Sequence, residues 1–498
     1  MPPSTVRLPD GQTFTVAPVF AGFFFKSHDL STHSSNAFPV GWSVVLHTAD
    51  KSFTQATLQD DQVYISSISN PSSIEFRRPA SPTRQVAMML YITLYWYFHQ
   101  PAPSPIQDLA TAQSTPLAGK PRGEWRVRIK RDGVLRGRNL MLKLERMGLI
   151  ANLDSSVGGA VATEAGDEES DLAAWSHVFV SQPVFWQIPA RLFLFTLEPT
   201  STSPSNSRPG SPGSPRPPGQ TQTLTQTLTQ TLTQTLSLTS PAPAPPFGPF
   251  FSPSHLPTYY PAAPAQYIMT EHVRHPLRPK PPRMGEVFYT RFVPSAGQYL
   301  ALRVASLSAA PTAYQGPAGP GPAPAPADQA AALAALPDAR LLARWLGQPR
   351  VQAFWGAGPQ PDLLPAALRA RHSFPAVGLW DGVPFGYFEL YWVREDALGR
   401  HLAGGGRAVA DWDRGLHVLV GEAWARGRVQ SWLSSLVHWA FLADSRTASV
   451  WIEPRVDNER FIQHLQAAGF NKETEVAFPH KQSWVGRVRR DDWLGPAL

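Results

Sequence analysis

Apolar residues fall at helical spacing most clearly over residues 427–443. There Val429, Trp432, Leu433, Leu436, Val437, Ala440 and Phe441 follow an i, i+3, i+4, i+7 pattern that predicts one long amphipathic helix. Residues 338–346 repeat the pattern on a smaller scale, 351–355 begin a second short helix, and 458–468 form a third, opened by Asn458 and closed by Gly469. Alternating or continuous apolar runs predict strands between these helices at 376–380, 385–393, 415–420 and 448–453, with a closing hairpin at 475–478 and 483–488. Asp381-Gly382 marks the turn between the first two. Upstream, residues 287–307 read as two strands around a turn at 294–297. The first 198 residues are strand-rich (40–46, 53–58, 178–184, 190–197), with helices predicted at 85–98 and 138–148.

Two stretches break the pattern. Residues 199–266 run through SNSRPGSPGSPRPPG, repeats of Thr-Gln-Thr-Leu and PAPAPPFGPFF, and residues 309–335 are rich in Ala, Pro and Gly. Such compositions bury too little apolar surface to offset chain entropy, so both are expected to lack fixed structure. The resulting division is an N-terminal domain at 1–198, a linker at 199–270 and a C-terminal domain at 271–498 containing the 309–335 insert. A length of 498 residues fits two domains plus linkers. The absence of Cys excludes disulfides, thiolate metal sites and a Cys nucleophile, and no metal is expected. The net charge of +7 comes from scattered basic residues, which suits anionic small molecules and gives no reason to expect nucleic acid. Apolar runs shorter than about 18 residues predict no membrane span, and without a signal-peptide core or a Ser-Lys-Leu ending the expected location is cytoplasmic. The sequence specifies no oligomeric state.

The order of elements after residue 335, together with RLLARWLGQPRVQAFWG, AVGLWDGVPFGYFELYWVREDALG, DWDRGLHVLVGEAWARGR and VWIEPRVDNERFIQHLQAAGF, resembles the GCN5-related N-acetyltransferases. Within them it is similar to the siderophore-biosynthetic hydroxamate acyltransferases. VFYTRFVPSAGQYLALRVASL resembles the fungal branch, which acylates N5-hydroxyornithine and carries an additional N-terminal domain. The resemblance implies an α/β (α+β) fold with a mixed central sheet flanked by helices, and by layout a degenerate second copy before the linker. It also implies acyl-CoA as co-substrate, with acetyl-CoA favoured and anhydromevalonyl-CoA the alternative.

In that fold the coenzyme lies between two parting parallel strands, with its pyrophosphate on the N-terminus of the long helix, where unpaired amides favour anions. The corresponding residues are Val418 and Val420 on the strand and Arg426, Gly427 and Arg428 at the helix start. The loop Trp424-Ala425-Arg426-Gly427-Arg428-Val429 keeps only the first glycine of the family's Gly-x-Gly/Ala. His417 matches the acceptor-site histidine of the family, and an imidazole is suited to take the proton released when a nitrogen attacks a thioester. Taken singly, a strand histidine is more often a satisfied structural residue. Asp457 is the second catalytic candidate: relatives read Glu-Pro-Asp-x-Arg-Asn where this chain has Glu453-Pro454-Arg455-Val456-Asp457-Asn458, and helix-start electrostatics is its other explanation. Trp355, Asp381, Glu389, Tyr391 and Lys481 are expected around the acceptor, with a carboxylate on its α-ammonium. A generic amine or protein acetyltransferase and a non-catalytic binding protein of the same fold remain open as alternatives.

Overall fold

The computed structural model describes residues 2–28, 41–49, 51–69, 82–107, 109–137, 139–153, 177–194, 266–356 and 358–498. Two mixed sheets organise it. The first contains β1 (Ser4–Arg7), β2 (Thr13–Val19), β3 (Gly22–Ser27), β4 (Gly41–Thr48), β5 (Lys51–Ser52), β6 (Asp61–Ser69), β7 (Arg126–Ile129), β8 (Ala151–Asn152) and β9 (Val178–Ser181). Its order is β1-β2-β3-β4-β6-β7-β9-β8, with β5 beside β4. After a small hairpin of β10 (Tyr267–Thr270) and β11 (Val273–Pro276) comes the second sheet. It comprises β12 (Val287–Val293), β13 (Gln298–Val304), β14 (Ser373–Trp380), β15 (Val383–Trp392), β16 (Arg414–Val420), β17 (Ser449–Ile452), β18 (Asn471–Phe478) and β19 (Lys481–Arg489), in the order β12-β13-β14-β15-β16-β17-β19-β18.

The halves share one topology. In each, five antiparallel strands lead to a helix, then a strand parallel to the fifth, a second helix and a closing hairpin whose strands insert in reverse order. The helices are α1 (Pro82–Tyr97) and α2 (Leu140–Arg146) in the first half. A short α3 (Gln182–Trp186) follows there. In the second half α4 (Ala327–Ala334), α5 (Asp338–Leu346), α6 (Pro349–Trp355) and α7 (Leu363–Arg369) intervene between β13 and β14. They are followed by α8 (Ala397–Gly404), α9 (Val429–Ala443) and α10 (Glu459–Ala467). The first half has only a tight turn at the place of α4–α7, because β2 ends at Val19 and β3 begins at Gly22. The apolar face of α9 buries Trp432, Leu433, Leu436 and Val437 completely, as its spacing predicts.

The halves dock through buried polar contacts as well as a continuous apolar core. The Tyr289 hydroxyl donates to His438 Nδ1 (2.8 Å), and the His438 Nε2–H donates to the Trp186 carbonyl (2.8 Å). Burial lowers the His438 imidazole to about 3, which keeps it neutral. Fully buried Arg291 donates to Ser435 and to the Ala497 carbonyl, tying the C-terminal segment to β12 and α9.

Several expectations need correction. The strand expected at 53–58 is absent: Phe53 and Ala56 are buried without strand pairing, and only Lys51–Ser52 pairs beside β4. The strand expected to reach residue 184 stops at Ser181, because Pro183, without an N–H, starts α3 instead. Residues 190–192 form a single 3₁₀ turn. Most of the 199–270 linker lies outside the described residues, and its last four form β10. The 309–335 insert is ordered: Gly319 N–H donates to Asp381, Gly321 N–H to the Gly297 carbonyl, and the Ala-rich end forms α4 with Leu333 buried. Among the described residues no helix is long and apolar enough to cross a membrane.

In both sheets the parallel pair is short. β6 meets β7 only at Gln62–Arg128 and Val63–Ile129, and β16 meets β17 only at Arg414–Val450 and Gly415–Trp451. Beyond these rows the first half is filled by its own backbone. Lys130 N–H donates to the Val63 carbonyl, and the turn Gly133–Arg136 lies against β6, where Gly133 (φ +54°) comes so close that a Cβ would sit 2.4 Å from the Ile65 carbonyl oxygen. Gly133→Ala is therefore expected to cost more than about 1 kcal/mol in urea unfolding, through both the contact and the left-handed backbone. Unchanged stability would contradict this close packing.

Candidate active site

In the second half β17 stays with β19, to which Pro454 contributes its carbonyl, and peels away from β16. Residues 416–420 are left without a strand partner on that side. Period-two alternation places His417 on the face opposite Leu416 and Val418. The antiparallel register sets Glu389 directly across from it, and Tyr391 lies one same-face step further along β15.

His417 bridges two carboxylates. Its Nδ1 is 3.0 Å from Glu389 Oε2, and its Nε2 is 2.7 Å from Glu453 Oε1. Glu389 also accepts from the Tyr387 hydroxyl (3.0 Å). Glu453 accepts from the Tyr391 hydroxyl (2.7 Å) and has Lys481 Nζ 3.6 Å from its carboxylate and 2.8 Å from its carbonyl. Burial lowers the imidazole's affinity for its proton, but the two carboxylates outweigh that and hold His417 well above the ordinary imidazole range. Reciprocally, burial pushes Glu389 and Glu453 up, yet His417 holds both below the usual carboxylate range. The group is therefore an imidazolium between two carboxylates. The His417 side chain keeps 31% of its surface exposed, and with Glu389 and Tyr391 it lines a cavity of about 220 Å³. Leu363, Ala366 and Ala367 of α7, Ala370 just after it, and His372, Ser373 and Asp396 complete the lining of that cavity.

The sequence-derived candidates divide. His417, Glu389, Tyr391 and Lys481 come together. Asp457 does not join them: it is exposed and ion-paired with Arg455, away from His417. Its place beside His417 belongs to Glu453, four residues earlier, where β17 ends. Asp381 sits at the opposite end of the hairpin, accepting from the amides of Tyr299 and Gly319, and serves the turn rather than the cavity. Trp355 packs edge-on against Tyr387 behind the site, with ring centroids 6.1 Å apart, and does not line the cavity. Val418 and Val420 lie on the unpaired run, with the Val420 carbonyl accepting from Arg350 (2.9 Å). Arg426 is exposed at the start of α9, near Arg350. Arg428 turns inward instead, donating to Gln298 and lying over the Trp380 ring (5.0 Å), so it is not free to meet a ligand in this conformation. Gly427 has open space around it and no left-handed φ, so the fold itself does not demand a glycine there. Glu453, Tyr387, His372 and Asp396 were missed. Glu453 alone had a local signal, as a carboxylate ending a buried strand just before proline. Among the described residues no cluster suited to hold a metal occurs.

The equivalent positions of the first half carry no such chemistry. Counting from the parallel rows, Ile65 stands for His417, Val44 for Glu389 and Leu46 for Tyr391, and all three are buried.

Glu453→Gln keeps an acceptor oxygen but removes the charge that holds the buried imidazolium, and is expected to cost about 1.5–3 kcal/mol of stability together with most activity. Asp457→Ala is expected to leave the rate within about twofold, as exposed ion pairs do. Nitrogen-edited NMR of the histidine rings, assigned by difference with His417→Gln, should find the His417 ring still protonated at pH 7.5. A midpoint near 6.5 would contradict the double-carboxylate clamp.

The profile of the "Acetyltransferase (GNAT) domain" family matches residues 335–478, from α5 through β18, which include Glu389, His417 and Glu453. The chain is 49% identical to "N5-hydroxyornithine acetylase sidL" of Beauveria bassiana (strain ARSEF 2860), over 97% of this chain and 100% of that protein. It is 40% identical to the "N(6)-hydroxylysine O-acetyltransferase" of Escherichia coli over 29% of this chain and 47% of that one. It is also 32% identical to "N(5)-hydroxyornithine:cis-anhydromevalonyl coenzyme A-N(5)-transacylase SIDF" of Beauveria bassiana over 43% and 42%. With half of its residues shared along the full length of the acetylase, the chain belongs to the fungal N5-hydroxyornithine acyltransferase branch of the GNAT-fold hydroxamate acyltransferases.

Proposed function

We propose that this protein transfers an acyl group, acetyl in preference to anhydromevalonyl, from coenzyme A to the hydroxylamine nitrogen of N5-hydroxy-L-ornithine, making a hydroxamate for a siderophore. The observation that carries this reading is the unpaired run 416–420 with His417, Glu389 and Glu453 at its side and a partly open cavity beside Glu389 and His417. Extended backbone without a partner strand is suited to hydrogen-bond the amides of a pantetheine arm, as peptides are bound by strand addition. The start of α9 has no side-chain cap, and with exposed Arg426 it suits a pyrophosphate. A cavity of about 220 Å³ is below the 300–1,000 Å³ typical of drug-sized ligands. Such a volume suits a small amino acid acceptor. The agreement in whole-length sequence with an enzyme named an acetylase favours acetyl.

In this mechanism the acceptor nitrogen, less basic than an alkylamine and so already neutral, adds its lone pair to the thioester carbonyl. Backbone amides of β16 stabilise the oxyanion. Once the C–N bond has formed the nitrogen is cationic and acidic, and its proton passes to the Glu389 carboxylate, a weak base that suffices at that late stage. The imidazolium of His417 fixes Glu389 and is in turn fixed by Glu453, the positioning logic of a catalytic triad. The C–S bond then breaks, and coenzyme A leaves as a thiolate that takes up a proton from solvent as Glu389 gives its own back. His417, expected to be the proton acceptor itself, becomes in this account the group that holds the acceptor. The coenzyme site exists once per chain, because backbone occupies the matching place in the first half. Catalysis in a cytoplasmic compartment, in service of iron acquisition, completes the proposal.

The test is thiol release from acetyl-CoA with hydroxyornithine or ornithine as acceptor. A preference of at least about tenfold in kcat/KM for the hydroxylated amine is expected, with a product that forms a coloured ferric hydroxamate. Equal use of ornithine, or a product acylated on oxygen that binds no iron, would overturn it.

A further inference from the structure

The cavity contains a second carboxylate whose role the chemistry above leaves open. Asp396 Oδ1 accepts from the Leu398 amide (2.9 Å), capping α8, while Oδ2 lies 3.2 Å from His372 Nε2. Burial raises its affinity for a proton, but the His372 hydrogen bond and the charge of His417 lower it further, so it stays ionised. Its side chain is 16% exposed, and both it and His372 line the cavity that contains Glu389 and His417. Asp396 is held by a backbone amide and His372, whereas the other two carboxylates of the site are both tied to the His417 imidazolium. Glu389 is held by His417 and Tyr387, and Glu453 by His417, Tyr391 and Lys481. The sequence suggested Glu389 as the carboxylate for the acceptor's α-ammonium; its commitment to His417 leaves that task to another group.

We propose that Asp396 binds the α-ammonium of the acceptor and so makes the enzyme read the amino-acid end of its substrate. This rests on the acyltransferase reading above. The strand geometry gives the spacing. Tyr391 is two residues along β15 from Glu389 and pairs with Ser373, and the next residue, His372, accepts at its carbonyl from the Trp392 amide. His372 therefore stands one row beyond Tyr391, roughly 10 Å along β15 from Glu389, and Asp396 beside it is near enough for its charge to act on Glu389 across the cavity they share. An acceptor anchored at Asp396 thus brings its hydroxylamine to Glu389. The methylenes between lie against Ala366, Ala367 and Ala370, where small side chains leave the room. Asp396 is a specificity-determining residue in this arrangement, and His372 positions it.

The test compares three acceptors with acetyl-CoA: N5-hydroxyornithine, N-hydroxy-1,4-diaminobutane, which keeps the far ammonium but lacks the carboxylate, and N-butylhydroxylamine, which lacks both. Wild type should favour both ammonium-bearing acceptors over N-butylhydroxylamine, mainly in KM. Asp396→Asn retains the helix cap, since Asn caps as well as Asp. It is expected to lower the kcat/KM ratio of hydroxyornithine to N-butylhydroxylamine about 10–100-fold, and Asp396→Glu should recover part of that ratio. An unchanged ratio in Asp396→Asn overturns the assignment. Wild type that uses hydroxyornithine and N-butylhydroxylamine equally overturns it without any variant, while leaving the acyltransferase reading intact. Wild type that acylates none of the three overturns both.

Discussion

Everything distinctive about the second half follows from two parallel strands that stay paired for only two rows. A β16–β17 ladder continued to Val420 would be an ordinary mixed sheet with its amides spent on each other. Because β17 follows β19 instead, the chain keeps a run of extended backbone with one edge free, and the residues at the fork are where chemistry collects. His417 comes from the strand that stays and Glu453 from the end of the strand that leaves. Their hydrogen bond bridges the fork at its mouth. The charges cluster there at an energetic cost that is offset only because each is paired: one imidazolium is shared by two carboxylates, with two tyrosine hydroxyls and a lysine completing the set.

The first half shows what the same topology becomes without that requirement. Its fork is closed by its own turn, which Gly133 alone permits, and the three aligned side chains are aliphatic. It lacks the four helices of the second half, among them α7, which lines the cavity, since a tight turn replaces them. What it retains is a docking surface. The neutral His438, clamped between Tyr289 and the Trp186 carbonyl, together with Tyr299 on the Leu8 carbonyl and Arg490 on Gln187, ties the two halves into one packed body. The duplicated half thus contributes scaffold to the half that carries the site.

Much of this was legible in the sequence because it rests on periodicity. The spacing of Trp432, Leu433, Leu436 and Val437 fixes α9, and the alternation on 385–393 and 415–420 puts Glu389, Tyr391 and His417 on one face. Family resemblance supplied their significance. What was not legible depends on where strands part and on which side chains meet across sequence distance. Nothing local says that β17 ends with Glu453 aimed at His417, or that Asp457 is drawn out to solvent by Arg455. The cavity floor of Asp396 and His372 comes from a 3₁₀ turn and a strand start that are 24 residues apart. Composition misled at 309–335, where backbone hydrogen bonds to Asp381 and Gly297 pin a segment with little apolar surface of its own.

The most direct measurement of the central claim is a crystal structure with a non-hydrolysable acetyl-CoA thioether. The account predicts one molecule per chain, its pantetheine arm running along 416–420 in place of a strand, its pyrophosphate at the start of α9 and its acetyl carbonyl beside Glu389 and His417. Coenzyme bound elsewhere, or in the fork of the first half, or a β16–β17 ladder that closes in the presence of ligand, would contradict it.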